Sequence, residues 1–256
     1  MTTLQKLHTW AIALLESIPE IIQGFDGLDV EEKSGRRDLV TQVDQAVEAH
    51  IIEQICTHYP DHATLGEETY QPKQYTAEKL WVIDPIDGTS NFIGQSADYA
   101  TLLAYFENGK PMLSYIYLPV EGVLYSAIRG QGVYKNGVSI TKPDNKGLAE
   151  SIISFDLHRI YDYRPELFDK LMHDAFQVRR EGCSGVDGAR VLDGRFSCFL
   201  SHRGGPWDFA PHFLFAEELD LVLCNFEGHP LSLEDYSEFY FGTKQSFYDI
   251  FNIVIA

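Results

Sequence analysis

The chain has 256 residues, with 20 Lys and Arg against 38 Asp and Glu and a formal net charge of −18 when histidines are neutral. That balance, without clustered Lys or Arg, excludes a basic groove for nucleic acid, where affinity comes mainly from counterion release. Hydrophobic residues at 45% and aromatics at 13% supply a core, so the chain is globular rather than disordered.

The length fits one large domain or two modest ones. No apolar run approaches the roughly 20 residues that span a bilayer, so no membrane segment is expected. Thr2 to Ile22 mixes Leu4, Leu7, Leu14 and Leu15 with Lys6, His8, Glu16 and Glu20, and it lacks the basic start and apolar block of a secretory leader. It reads as an amphipathic helix of a cytoplasmic protein. The cysteines, Cys56, Cys183, Cys198 and Cys224, are far apart with no Cys-x-x-Cys pair, so buried free thiols are expected rather than a disulfide framework or zinc ribbon.

Glu31 to Asp38 reads as a charged loop, and a helix follows over Thr41 to His58, where Val43, Val47, Ile51 and Ile55 recur every four residues. Ala63 to Gly66 and Leu80 to Ile83 are short apolar runs that end in acids, as strands opening into loops do. From Tyr99 to Thr141 the pattern is β throughout. Asn136-Gly137 marks a hairpin, because a two-residue type I′ turn needs positive φ at both positions. Beyond this, helices are expected over Pro165 to Phe176, Gly185 to Leu192 and Pro206 to Leu219, with strands at Ser197 to Leu200 and Leu221 to Cys224. Phe239-Tyr240-Phe241 reads as strand or core. The alternation predicts an α/β fold of alternating helix and sheet layers. Its two halves, 1–145 and 146–256, would join into one compact unit, with Pro143 to Gly147 as the hinge.

Carboxylates follow several of these elements: Glu67-Glu68 after one strand, Asp84 and Asp87 after another, and Asp208 at a helix start. Such junctions are where α/β sheets place ligands. Oxygen donors without histidine or thiolate suit Mg²⁺, with Mn²⁺ as an alternative, rather than Zn²⁺. The segment Asp84-Pro85-Ile86-Asp87-Gly88-Thr89-Ser90-Asn91-Phe92 is the most informative. Pro85 stiffens the turn, so both acids can converge on one ion or ion pair. Gly88 permits close backbone approach, and Thr89 and Ser90 stand at a helix start whose free amides can hold phosphate. The competing reading makes Asp84 a turn residue and Thr89 an ordinary cap.

With these residues the sequence resembles the inositol monophosphatase family of metal-dependent, lithium-sensitive phosphatases, a group that includes fructose-1,6-bisphosphatases. The resemblance rests on Gly66-Glu67-Glu68, on Trp81 to Phe92 and on Trp207-Asp208, supported by Asp38 to Asp44 and Gly130 to Gly137. It implies that Glu67, Asp84 and the Ile86 carbonyl hold one Mg²⁺, and that Asp84, Asp87 and Asp208 hold a second. Glu67 would also touch a weaker third ion. By the same resemblance Gly88, Thr89 and Ser90 bind phosphate, Glu67, Asp44 and Thr89 act in catalysis by orienting and deprotonating the attacking water, and Lys33 lies in a mobile loop. The partner is then a small phosphorylated metabolite, and the protein a homodimer.

Inositol-specific members carry a glutamate seven residues before the Trp-Asp aspartate, where this chain has Ser201. After Trp-Asp the family's small residues become Ala210-Pro211-His212, and its Glu-Ala-Gly-Gly becomes Glu218-Leu219-Asp220-Leu221, so packing there must differ. Cys183 and Ser184 stand where the family contacts the leaving group; Cys183 has no base beside it and is not read as a nucleophile. Arg203 either meets a second phosphate or faces solvent from its Gly-rich loop. Candidate substrates are inositol 1-phosphate and other sugar phosphates, then fructose 1,6-bisphosphate or nucleotide phosphates such as 3′-phosphoadenosine 5′-phosphate and NADP. A regulatory, partner-binding homologue is the alternative from a different class.

Overall fold

The structure, a computed structural model, describes residues 2–25, 27, 29–35, 38–70, 74–234 and 236–254; the side chains of residues 32–40 and 74 lie outside that description. The N-terminal helix α1 (Thr3–Gln23) opens on a capping box in which Thr2 and Gln5 satisfy each other's backbone amides. Where a charged loop is expected, Val30–Gly35 (β1) and Asp38–Thr41 (β2) form an antiparallel hairpin. Lys33 therefore belongs to a strand rather than a loop, and its side chain is among those not described. Thr41 then caps α2 (Gln42–His58), which buries Val43, Val47, Ile51 and Ile55 as their spacing requires.

A seven-stranded sheet follows, made of β3 (Ala63–Gly66), β4 (Lys79–Asp87), β5 (Ala100–Glu107), β6 (Lys110–Leu118), β7 (Val123–Ile128), β8 (Gly132–Lys135) and β9 (Val138–Ile140) in that order. All pairs are antiparallel except β3 with β4. The short helix α3 (Thr89–Gln95) interrupts it after β4. Asn136 and Gly137, at φ 47° and 75°, form the tight turn between β8 and β9.

The rest of the chain alternates: β10 (Ile152–Phe155), α4 (Leu157–Tyr163), α5 (Pro165–Asp174), β11 (Gln177–Arg179), α6 (Ser184–Leu192), β12 (Phe196–Gly204), α7 (Pro206–Leu219), β13 (Val222–Cys224), β14 (Ser237–Gly242) and α8 (Lys244–Phe251). Its strands form a second sheet in the order β11-β10-β12-β14-β13. Side chains of successive strand residues point to opposite faces, and that alternation sorts the core. Trp81, Leu103, Tyr105 and Tyr115 pack under α1 and α2. Leu102, Ile116, Phe199 and Phe241 meet α6 and α7 between the two sheets. Cys198, Leu200 and Tyr240 face α4, α5 and α8 on the far side. The layers run helix, sheet, helix, sheet, helix, so the α/β layered architecture expected from the alternation is the one observed.

The segment proposed as a hinge is tied down at its C-terminal end. The Lys146 carbonyl accepts from the Thr243 and Ser246 hydroxyls at 2.7 and 2.8 Å, and the Leu148 amide donates to Asp249 at 3.0 Å. Cys183, Cys198 and Cys224 are buried free thiols, whereas Cys56 is exposed on α2. Among the described residues no helix is long and apolar enough to cross a membrane.

Candidate active site

Asp84 and Asp87 both belong to β4, and residues three apart on a regular strand point to opposite faces. The register with β5 resolves this: Asp84 pairs with Leu102 but Asp87 with Ala100, so three steps on β4 match two on β5. This bulge at Pro85-Ile86 returns Asp87 to the side of Asp84. Pro85 can sit there because β3 stops pairing at Ile83, and the Pro85 carbonyl is held by the Thr101 hydroxyl at 2.8 Å. The rigid turn read from the sequence is thus a bulge within a continuous strand.

Asp208 arrives from the other sheet's side, in the first turn of α7, where its Oδ2 accepts from the Gly205 amide at 2.6 Å. The unusual Gly204-Gly205-Pro206 run has local causes. A Cβ at residue 204 would strike Phe239, one at 205 would lie 2.6 Å from the Trp207 ring, and Pro206 suits the first turn of the helix. The carboxylates of Asp84, Asp87 and Asp208 then lie within 4.8 Å of one another.

Three acids this close in a buried site repel. Burial, and then the facing carboxylates of Glu67, Asp87 and Asp208, hold Asp84 well above the usual carboxylate range. Burial also raises Asp208, with Asp87 and Glu67 adding to it. Asp87 reaches only about 6, because the Gly185 and Ser184 amides donate to its carboxylate. Asp84 Oδ1 is buried without a hydrogen-bond partner. A divalent cation fits this arrangement, since it would occupy the orphaned oxygen and remove the repulsion. Glu67 follows β3, its amide bonded to the Ile83 carbonyl at 3.1 Å; its charge is felt by Asp84 and Asp208, but its carboxylate stands outside the three-acid cluster.

Beside the cluster, Gly88 at φ 92° turns the chain into α3, and a Cβ there would fall 2.8 Å from Cys183 Cβ. The Thr89 hydroxyl has two acceptors, Asp44 Oδ1 at 3.0 Å and the Ile86 carbonyl at 3.1 Å, and one proton. Asp44 itself is buried, and burial raises its carboxyl while hydrogen bonds from Thr41 and Thr89 pull it back down. Ser90 is exposed one residue further along α3.

A cavity of about 150 Å³ opens from Asp87 and Asp208 and is lined by Cys183, Ser184 and Ser201. The Cys183 thiol is pushed well above its ordinary range by burial and by Asp87, so it is a wall rather than a nucleophile. Arg203 is not brought to the cavity. The register shift between Ser201 and Gly204 breaks the strand alternation, and the guanidinium lies 4.8 Å from the ring centroid of Tyr236. Sequence reasoning missed Asp156, Arg180 and Asp187, which line the same cavity. Two had a readable signal: Asp156 follows a short apolar run in the sequence as Asp84 does, and Asp187 is three residues along the helix from Ser184, on the same face.

The departures after Trp-Asp also find their places. His212 is fully buried on α7, its ring 4.6 Å from that of Phe241, and it fits because residue 188 is glycine; any Cβ there would meet the His212 Cε1. Asp220 ends α7 at φ 50°, a left-handed position that aspartate tolerates, and its carboxylate pairs with Lys142 and Lys244. Glu218 accepts from the Gly130 and Gly132 amides at 2.6 and 2.8 Å.

A sequence model described as the inositol monophosphatase family matches residues 3–246. The inositol-1-monophosphatase of Bacillus subtilis is 31% identical over 217 residues, 83% of this chain and 82% of that protein. The fructose-1,6-bisphosphatase/inositol-1-monophosphatase of Thermotoga maritima is 30% identical over 221 residues, 86% of this chain and 84% of its own. Among solved structures, an inositol monophosphatase/NADP phosphatase with Mg²⁺ and phosphate superposes with a TM-score of 0.89 at 33% identity, covering 98% of this chain and 95% of that one. The chain belongs to the inositol monophosphatase family, and it is a metal-dependent phosphatase of the phosphoric monoester hydrolase class.

Proposed function

We propose that the protein hydrolyses a small phosphomonoester with two or three Mg²⁺ ions, and that inositol 1-phosphate or a related sugar phosphate is its substrate. The observation that carries this reading is the cluster of Asp84, Asp87 and Asp208 within 4.8 Å, with Asp84 Oδ1 buried and unpartnered. Asp84, Asp87, Asp208, Glu67 and the Ile86 carbonyl would hold the ions, as the family resemblance implies. Ions bound there lower the pKa of a water and neutralise charge on the attacking and leaving oxygens. Mn²⁺ suits the same all-oxygen donor set.

The remaining work belongs to the chain. Amides of Gly88, Thr89 and Ser90 stand before the first intrahelical bonds of α3 and can donate to phosphate oxygens. With the Ile86 carbonyl engaged elsewhere, the Thr89 hydroxyl donates to Asp44, since a carboxylate is the stronger acceptor. The Thr89 oxygen is then free to accept from the attacking water, and the water's proton passes by way of Thr89 Oγ1 towards Asp44. The leaving group would occupy the cavity walled by Cys183, Ser184 and Ser201.

Fructose 1,6-bisphosphate and NADP are the alternative substrates, since the Thermotoga maritima relative is a fructose-1,6-bisphosphatase/inositol-1-monophosphatase and the superposed structure an inositol monophosphatase/NADP phosphatase. A cytoplasmic homodimer completes the proposal. Metal binding tests its core: calorimetric titration with Mn²⁺ is expected to give two or more sites in the wild type and to lose at least one in Asp84→Asn. Unchanged binding in that variant would remove the cluster from the account. Li⁺ is expected to inhibit, as in a soaked staphylococcal relative described as an inhibitory complex.

A further inference from the structure

The cavity beyond the three-acid cluster has a charged outer end made by Asp156, Asp187 and Arg180. These three groups are not equivalent. Asp156 is already engaged, with Arg159 Nε at 3.4 Å and Arg180 Nη2 at 3.8 Å. Arg180 is therefore turned to a carboxylate of its own chain. Asp187, on α6, is only 7% exposed, and its Oδ1 has no hydrogen-bond partner. Ser154 beside it is also buried. An unpartnered oxygen on a buried carboxylate is costly, and a water, an ion or a ligand can complete the group; Asp187 lines the cavity that would hold one.

The leaving group's chemistry follows from what these residues can accept. Ser201, on the same cavity wall, is a short neutral hydroxyl and a weak acceptor. Arg159 and Arg180 engage Asp156, which leaves Asp187 as the carboxylate at the outer end without an ion-pair partner among the described residues, an acceptor that favours hydroxyl donors over a second phosphate beside it. We propose that Asp187 is a specificity-determining residue that accepts hydrogen bonds from the hydroxyls of a neutral, polyhydroxylated leaving group. This deepens the phosphatase reading and rests on it. Burial holds the Asp187 carboxyl at about 7, with hydrogen bonding from Ser154 and the Glu181 amide opposing the rise and the charges of Glu181 and Asp87 adding to it.

The test compares two substrates in Mg²⁺, myo-inositol 1-phosphate and p-nitrophenyl phosphate, whose leaving group has no aliphatic hydroxyl. Asp187→Ala is expected to raise KM for the inositol ester and to shift the ratio of the two kcat/KM values by about tenfold or more, the worth of hydrogen bonds to a charged acceptor. Asp187→Asn, which keeps the shape and one acceptor oxygen, is expected to recover part of that ratio. Equal proportional losses on both substrates, or an unchanged ratio in both variants, would overturn the inference while wild-type turnover keeps the phosphatase reading intact. A folded wild-type protein that turns over neither ester overturns that reading, and this inference with it.

Discussion

The two sheets contribute to the site in different ways. The seven-stranded side delivers Asp84, Asp87, Gly88 and Thr89 from six consecutive residues, aligned by one bulge and one positive-φ glycine. The five-stranded side delivers Asp208 and the cavity walls from separate places, namely the end of β10, the approach to α6, the middle of β12 and the start of α7. Local encoding makes the chemistry hard to change without losing it. Dispersed encoding lets the leaving-group side change residue by residue while the reaction stays the same.

The largest test of that contrast removes a carboxylate from the seven-stranded side. Asp87→Asn is expected to lower turnover of every substrate at least about a hundredfold, because it removes a proposed metal ligand rather than an outer-shell partner. A substrate-selective loss would break the comparison.

Next comes the proton path. Thr89→Ala and Asp44→Asn are each expected to lower kcat by about a hundredfold with little change in KM, the usual worth of general-base assistance. Thr89→Ser, which keeps the hydroxyl that donates to Asp44, should restore most of it. Steady-state kinetics on p-nitrophenyl phosphate separates the two parameters.

The buried acids also make stability depend on pH. Each has a folded-state pKa above its unfolded value of 3.8, so the stability it contributes is present below that value and is lost as pH rises, through about 6 for Asp87 and higher for Asp84 and Asp208. His212 acts in the opposite sense, because burial lowers it to about 3 and stability is lost as pH falls below its unfolded 6.5. That contribution is common to metal-free and metal-loaded protein and cancels in their difference. The rise in melting temperature on adding Mg²⁺ should therefore be larger at pH 8 than at pH 5.5, because fewer protons must be displaced. An equal or smaller rise at pH 8 would count against the cluster as the binding site.

Two smaller effects sharpen the other side. Gly188→Ala forces a methyl into the His212 ring and should cost about 1–3 kcal/mol of stability by urea unfolding, the usual range for overpacking. Arg203→Ala should change stability by no more than about 1 kcal/mol, as for an exposed cation–π contact, and leave substrate ratios unaltered. A selective loss on fructose 1,6-bisphosphate would return Arg203 to the substrate site.

The same contrast explains what could be read from the chain alone. Periodic helices such as α2 and the β run from Tyr99 to Thr141 were legible because their apolar spacing is local. So were Asp84, Asp87 and Gly88, whose spacing carries the family's motif. The hairpin of Val30–Gly35 and Asp38–Thr41 was hidden by its charged composition. For Arg203 the sequence left a second phosphate and solvent both open, and the register shift in β12 leaves it exposed against Tyr236, away from the cavity. Asp156, Arg180 and Asp187 converge only through tertiary packing, which no single-segment pattern encodes.

The central claim is that the three-acid cluster serves a metal-dependent phosphomonoesterase, with the proposal that Asp187 on α6 favours a neutral polyol. Phosphate release from myo-inositol 1-phosphate, fructose 1,6-bisphosphate and NADP, each with Mg²⁺ and with EDTA, tests it most directly. The account predicts turnover that needs Mg²⁺ and is fastest, per kcat/KM, on the inositol ester. Turnover that survives EDTA, or a clear preference for either of the other two substrates, would contradict it.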